Sequence, residues 1–174
     1  MDITTVADDL IMCHDGATVV RLENLRPAST HDVRGVEVRT LPRPAGELLC
    51  RFATANDLHF GEVDCGSVDN QLGGPIQRAA EGEPPYAEMM NRDAALEIAS
   101  IEPAAVIVKG DLPGTWAEYR VFAGGIMQVV HRVSTSEALN WSERCRHLYR
   151  DFGIDYETYA LGALEDRCCN IPLR

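Results

Sequence analysis

Asp57 and His59 stand two residues apart just past a strand-like run over residues 48–55. Asp111 stands just past a second such run, over residues 104–108. Two carboxylates and an imidazole are the donor set of a hard or borderline divalent cation such as Mn²⁺, Fe²⁺ or Zn²⁺. Where two ions share a bridging carboxylate about 3.5–4 Å apart, they clamp the attacking and leaving oxygens of a phosphate ester. Such a site needs short acids on fixed backbone, and Gly61 and Gly110 beside them let the chain turn closely.

These residues meet only if the two runs are neighbouring parallel strands. Residues 48–55 read as a strand ending in the loop that carries Asp57 and His59. Met90, Ala94, Ile98 and Ile101 then recur at helical spacing, and Pro103 stops that helix. Residues 104–108 form a short continuous apolar run, which predicts a strand buried on both faces. A strand, a helix and a second strand close most readily as a parallel crossover. Neighbouring strands lie about 4.8 Å apart, and residues just past their carboxyl ends converge on one crevice.

Asp57-Leu58-His59 alone is weak, since it reads equally well as a turn with a surface histidine. Gly110-Asp111 alone reads as a turn. Their order, each after a strand with a helix between, is the stronger signal. Together they resemble the D-x-H and G-D motifs of the calcineurin-like metallophosphoesterases. Residues 41–111 resemble the N-terminal half of a bacterial phosphohydrolase of that family, and the block from Pro113-Gly114-Thr115-Trp116-Ala117-Glu118-Tyr119-Arg120-Val121 onward resembles its C-terminal part.

The resemblance implies a metal-dependent hydrolase of phosphate esters, with two β-sheets sandwiched between helices and a centre of iron, manganese or zinc. By that resemblance Asp57 and His59 hold a first metal and Asp111 bridges to a second. The later motifs are missing. Gly114 stands where the family has an acid or amide, no Asn-His dipeptide occurs, and the lone His and G-H-x-H motifs are absent. Among five histidines, His14 and His31 lie upstream, while His131 and His147 read as ordinary surface or partly buried residues. An internal deletion with its seam at residues 111–113 accounts for this pattern. It implies one weak metal site and impaired hydrolysis.

The remaining chain divides into an N-terminal β segment, 1–47, and a truncated metallophosphoesterase-like domain, 48–174. The fold class is α/β, with α+β character at the C-terminus. Turns are expected at Asp15-Gly16 and Arg34-Gly35, and a hairpin around Ala123-Gly124-Gly125. Ser134 and Glu137 have capping-box spacing before a helix to about residue 150. A further short helix is expected over residues 156–164, followed by a polar tail. The long stretch 64–86, rich in Gly and Pro, reads as a site loop or a disordered one.

With 174 residues and 45% hydrophobic content, the chain is long enough for one real core. A net charge of −11 excludes a nucleic-acid backbone or an anionic membrane as general partner. A small phosphate ester stays open as substrate, because a bound dication reverses the local field. No apolar run is long enough to span a bilayer, and Met1-Asp2-Ile3-Thr4-Thr5 lacks a signal-peptide pattern. Six cysteines without a C-x-x-C pair therefore predict reduced thiols in the cytoplasm. Cys168-Cys169 reads as small buried apolar residues rather than a zinc or redox module.

A second function class stands beside the hydrolase. It is a non-catalytic acidic domain that works through self-association or partner binding, because a deletion bares sheet edges and apolar faces. Trp116, Tyr119 and Phe122 are candidates for such a contact, and equally for hairpin core.

Overall fold

The computed structural model describes residues 1–56, 63–65, 77–109, 115–135, 138–139 and 164–173. They form a mixed α/β protein, mostly strands with one long helix and open sheets. Strands β1 (Asp2–Val6), β2 (Ile11–Asp15) and β3 (Thr18–Leu22) make an antiparallel meander, and β4 (Thr30–Val33) pairs with β5 (Val36–Arg39) as a hairpin. Both expected turns occur. Gly16 has φ 59°, while Arg34 and Gly35 have φ 51° and 86°, the left-handed pair of a two-residue hairpin turn. The Gly35 N–H also donates to Asp32 Oδ1 at 3.2 Å.

The main sheet has five strands. In spatial order they are β12 (Cys169–Pro172), β11 (Gly125–Arg132), β10 (Thr115–Phe122), β6 (Leu48–Asn56) and β9 (Ala105–Lys109). Strands β6 and β9 pair in parallel, with α1 (Tyr86–Ser100) between them in sequence, as the helical spacing and Pro103 predict. The helix ends where Ile101 and Glu102 N–H groups turn back to Ile98 and Ala99 carbonyls. Glu102 takes φ 48°, a left-handed exit directly before the proline.

Beyond residue 111 the sheet turns antiparallel, as expected. β10 and β11 stay in register from Thr115↔Arg132 to Phe122↔Gly125. The turn between them is pinned from outside, since the Gly124 N–H donates to Ala45 O at 2.8 Å. A Cβ at Gly124 would stand 2.8 Å from that same backbone oxygen. Gly124→Ala is therefore expected to cost about 1–3 kcal/mol by overpacking. Chemical denaturation would read this as a lowered midpoint, and an unchanged midpoint would contradict it.

Alternation along β10 divides the sheet into two faces. Trp116, Glu118, Arg120 and Phe122 are buried on one face, while Ala117, Tyr119 and Val121 are half-buried on the other. Two apolar clusters cover the first face. One joins Phe122, Met127 and Val129 to Val6, Ile11, Cys13, Val33 and Val38 of the N-terminal segment. The other joins Ala53, Ala55 and Trp116 to Met89, Met90 and Ile98 of α1. Trp116 and Phe122 are thus hairpin core, and Tyr119 stacks on Phe52 across the other face with ring centroids 4.6 Å apart.

Two expectations are corrected. Residues 104–108 were expected to be buried on both faces, yet Val106, Ile107 and Val108 are 48%, 50% and 59% exposed. β9 is an edge strand among the described residues, so its apolar character does not bring it burial. In the polar tail, after the short helix α2 (Leu164–Arg167), β12 adds to β11 from Gly125↔Pro172 to Gln128↔Cys169. The helix cap expected of Ser134 is made by Thr135, whose Oγ1 accepts the Ala138 N–H at 3.2 Å and whose carbonyl accepts the Leu139 N–H. Ser134 Oγ instead donates to Arg132 O.

Glu137, the helix to residue 150 and most of 156–164 lie outside the described residues. Within 64–86, β7 (Asp64–Cys65) and β8 (Gln77–Arg78) form a two-stranded ladder.

Candidate functional site

The parallel pair sets strand ends side by side. Register runs from Phe52↔Ala105 to Asn56↔Lys109, so both carboxyl ends stop level at one edge of the sheet. Asp57 follows Asn56 directly, and Asp111 lies two residues past Lys109. Asp57, His59 and Asp111 themselves lie outside the described residues. What the described backbone supplies is the pair of level strand ends on which such a site depends.

Around those ends, the remaining acids and histidine already have partners. Trp116, the β10 neighbour of Ala55, stacks on His131 with centroids 4.1 Å apart and planes 11° from parallel. Its indole N–H donates to Glu97 Oε2 at 3.0 Å, and Glu97 Oε1 accepts the Ser134 N–H at 2.6 Å. Buried Asp93 accepts Arg92 Nε at 2.8 Å on one oxygen and the Thr135 hydroxyl on the other. Two acids of α1 thus tie the helix to the exit of β11. Among the described residues, no group of three or more His, Cys, Asp or Glu side chains is arranged to hold a metal ion.

His131 was expected to be an ordinary surface or partly buried residue. It is only 4% exposed, on the same buried face as Trp116. Its Nε2 lies 3.3 Å from Glu118 Oε2. An ionised carboxylate only accepts, so Nε2 carries the proton in this pair. Burial alone would raise the Glu118 carboxyl, but the His131 hydrogen bond and the Arg120 charge outweigh it and hold its pKa at about 2.

Glu118 belongs to an ionic network whose centre, with Arg120 and Asp8, is buried. Arg120 grips it with two donors, Nε to Oε1 at 2.9 Å and one terminal nitrogen to Oε2 at 3.2 Å. The other terminal nitrogen of Arg120 donates to Asp8 at 2.6 Å and Asp9 at 2.7 Å. Arg51 Nε adds a contact to Glu118 at 3.1 Å, and Arg43 pairs with the second oxygen of Asp8. Arg51 and Arg120 face each other across β6 and β10, an arrangement that repels unless carboxylates lie between. Glu118 is that carboxylate. The network clamps the segment after β1 to the centre of the main sheet, which is a structural role.

No spacing rule marked Glu118, Arg120, Asp8 or Asp9. One local signal existed, because Trp116, Glu118, Arg120 and Phe122 alternate at period two, which puts two charges on an apolar face. Cys168 behaves as expected of a small apolar residue. It is buried, burial pushes its thiol above the ordinary range, and its Sγ accepts the Val6 N–H at 3.4 Å. Cys169 is half-buried, and His147 lies outside the described residues.

Comparison with family models, with curated proteins and with solved structures finds no match to this chain. No helix among the described residues is long and apolar enough to cross a membrane.

Proposed function

We propose that the chain is a metal-dependent phosphoesterase whose site has been reduced to its first half. One observation carries this reading: β6 and β9 are parallel and end level, with Asp57 and Asp111 immediately downstream in sequence. Two carboxylates and one imidazole fit a single Mn²⁺, Fe²⁺ or Zn²⁺ ion. Asp57, His59 and Asp111 would hold it, and it would supply Lewis-acid polarisation of a phosphoryl oxygen. On this reading the five-stranded sheet is one layer of a sandwich whose other part belonged to the block deleted at residues 111–113.

His131, Asp93 and Glu97 are bound up in structural contacts, so none of them supplies a replacement ligand or a general acid. Hydrolysis should therefore be slow. A single missing charge-stabilising group in a hydrolytic site costs about 10²–10³-fold in rate.

Metal analysis and hydrolysis of an aryl phosphate test the reading, with Asp57→Asn and Asp111→Asn as controls. The expected result is at most one ion per chain and slow turnover, both lost in either variant. Protein free of metal in every version after incubation with Mn²⁺ or Zn²⁺ would overturn it.

A second reading, self-association without catalysis, is favoured by a different observation. β9 presents three consecutive apolar residues to solvent, Val106, Ile107 and Val108.

A further inference from the structure

The geometry points to a two-fold dimer in which β9 of one copy pairs antiparallel with β9 of a second copy, joining two five-stranded sheets into one. This rests on the self-association reading and specifies its surface and partner. β9 bonds to β6 on one side, and on its other side no strand pairs with it among the described residues. An open edge of unpaired N–H and C=O groups is a template for another strand. Residues 105–108 carry none of the usual protections, having no proline and no charge, and the β6–β9 register runs without a bulge. Side chains on both faces of this edge are apolar and about half exposed.

The opposite edge of the sheet differs. β12 has four residues and ends in Pro172, which cannot donate to a further ladder. Head-to-tail stacking of β9 on β12 would build an open fibre. Its blunted edge disfavours that, which leaves the self-complementary pairing of β9 with itself.

Charge selects the direction. Ala105 opens β9 and Lys109 closes its C-terminal end. Antiparallel pairing about a two-fold at Ile107 sets Lys109 opposite the apolar Ala105 of the other copy. Parallel pairing would set Lys109 against Lys109. A contact built on five-residue strands is small, so the dimer should be reversible and concentration-dependent.

Sedimentation velocity of the full chain over a range of concentrations tests this. The wild type should shift from monomer to dimer, with no larger species. Ile107→Lys, at a half-exposed position, should weaken the dimer roughly tenfold or more by placing like charges across the two-fold, while far-UV circular dichroism stays unchanged. Val106→Glu and Val108→Lys should each weaken it, and the two together, opposite one another across the two-fold, should restore it. A monomer at every concentration would overturn both the dimer and the self-association reading. A dimer indifferent to Ile107→Lys would overturn the β9 edge alone. Failure of the Val106→Glu, Val108→Lys combination to restore association would overturn the antiparallel arrangement.

Discussion

Arg120→Met is expected to destabilise the protein by about 3–5 kcal/mol. Arg120 is 7% exposed and holds three carboxylates at once: Glu118, Asp8 and Asp9. Methionine matches much of its length and keeps its apolar stem, so the loss is chiefly one of charge. Glu118 and Asp8 are each 1% exposed, and without Arg120 their negative charge is left in a low-dielectric site. Arg51 and Arg43 remain as partners, but their side chains are 38% and 49% exposed and compensate only in part.

A double-mutant cycle separates the pair from the cost of orphaned charge. Glu118→Gln and Arg120→Met together should cost less than the sum of the two changes. Urea denaturation gives each value. A loss below about 1 kcal/mol for Arg120→Met would place it in the range of exposed pairs and contradict the network's role.

The elements that carry this network differ in how far sequence alone exposes them. Hairpin turns at Gly16 and at Arg34-Gly35 are legible because positive φ demands particular residues over two or three positions. Helix α1 is legible because Met90 and Ile98 repeat on one face and Pro103 forbids continuation. Parallel pairing of β6 and β9 follows from the helix between them. All of these are local.

What stays hidden is settled by distant partners. Glu118 and Arg120 become a buried pair only because Asp8 and Asp9 arrive from more than a hundred residues earlier. Val106–Val108 has the composition of a strand covered on both sides, and composition cannot tell whether a cover exists. β12 has too few apolar residues to announce itself; it forms because β11 offers an edge to pair with. For the candidate site, the sequence supplies the ligand types, and the described backbone supplies the level strand ends.

The second large effect concerns acid. His14 on β2 is 1% exposed; its Nδ1 shares a hydrogen bond of 2.7 Å with Thr4 Oγ1, and its Nε2 is buried with no hydrogen-bond partner among the described residues. Burial is the main cause that depresses its pKa, the Arg132 charge adds to it, and Asp2 opposes; the result is about 4 against an ordinary 6.5. The folded state therefore prefers neutral His14, while the unfolded chain takes up a proton below pH 6.5. Stability from this group is fully present above pH 6.5 and is lost as pH falls from there through 4. Between pH 7.5 and 5.0 the loss should be about 2 kcal/mol.

Glu118 works in a lower window. Its carboxyl sits at about 2 in the fold against 4.5 ordinarily, so its contribution persists above pH 4.5 and disappears only as pH falls from there toward 2. The two groups can thus be told apart by where stability drops. His14→Phe removes the titrating ring nitrogens while Thr4 Oγ1 keeps the Met12 carbonyl as an acceptor at 3.4 Å. Urea denaturation at pH 7.5 and 5.0 should show most of the wild-type difference abolished in this variant, with the steeper loss below pH 4.5 unchanged. If His14→Phe lost the same 2 kcal/mol or so between those pH values, another group would carry the upper step. Asp8 and Asp9 lie between β1 and β2 and are held by Arg120, so the meander that buries His14 is tied to the main sheet, and the two losses should add within one cooperative unfolding transition.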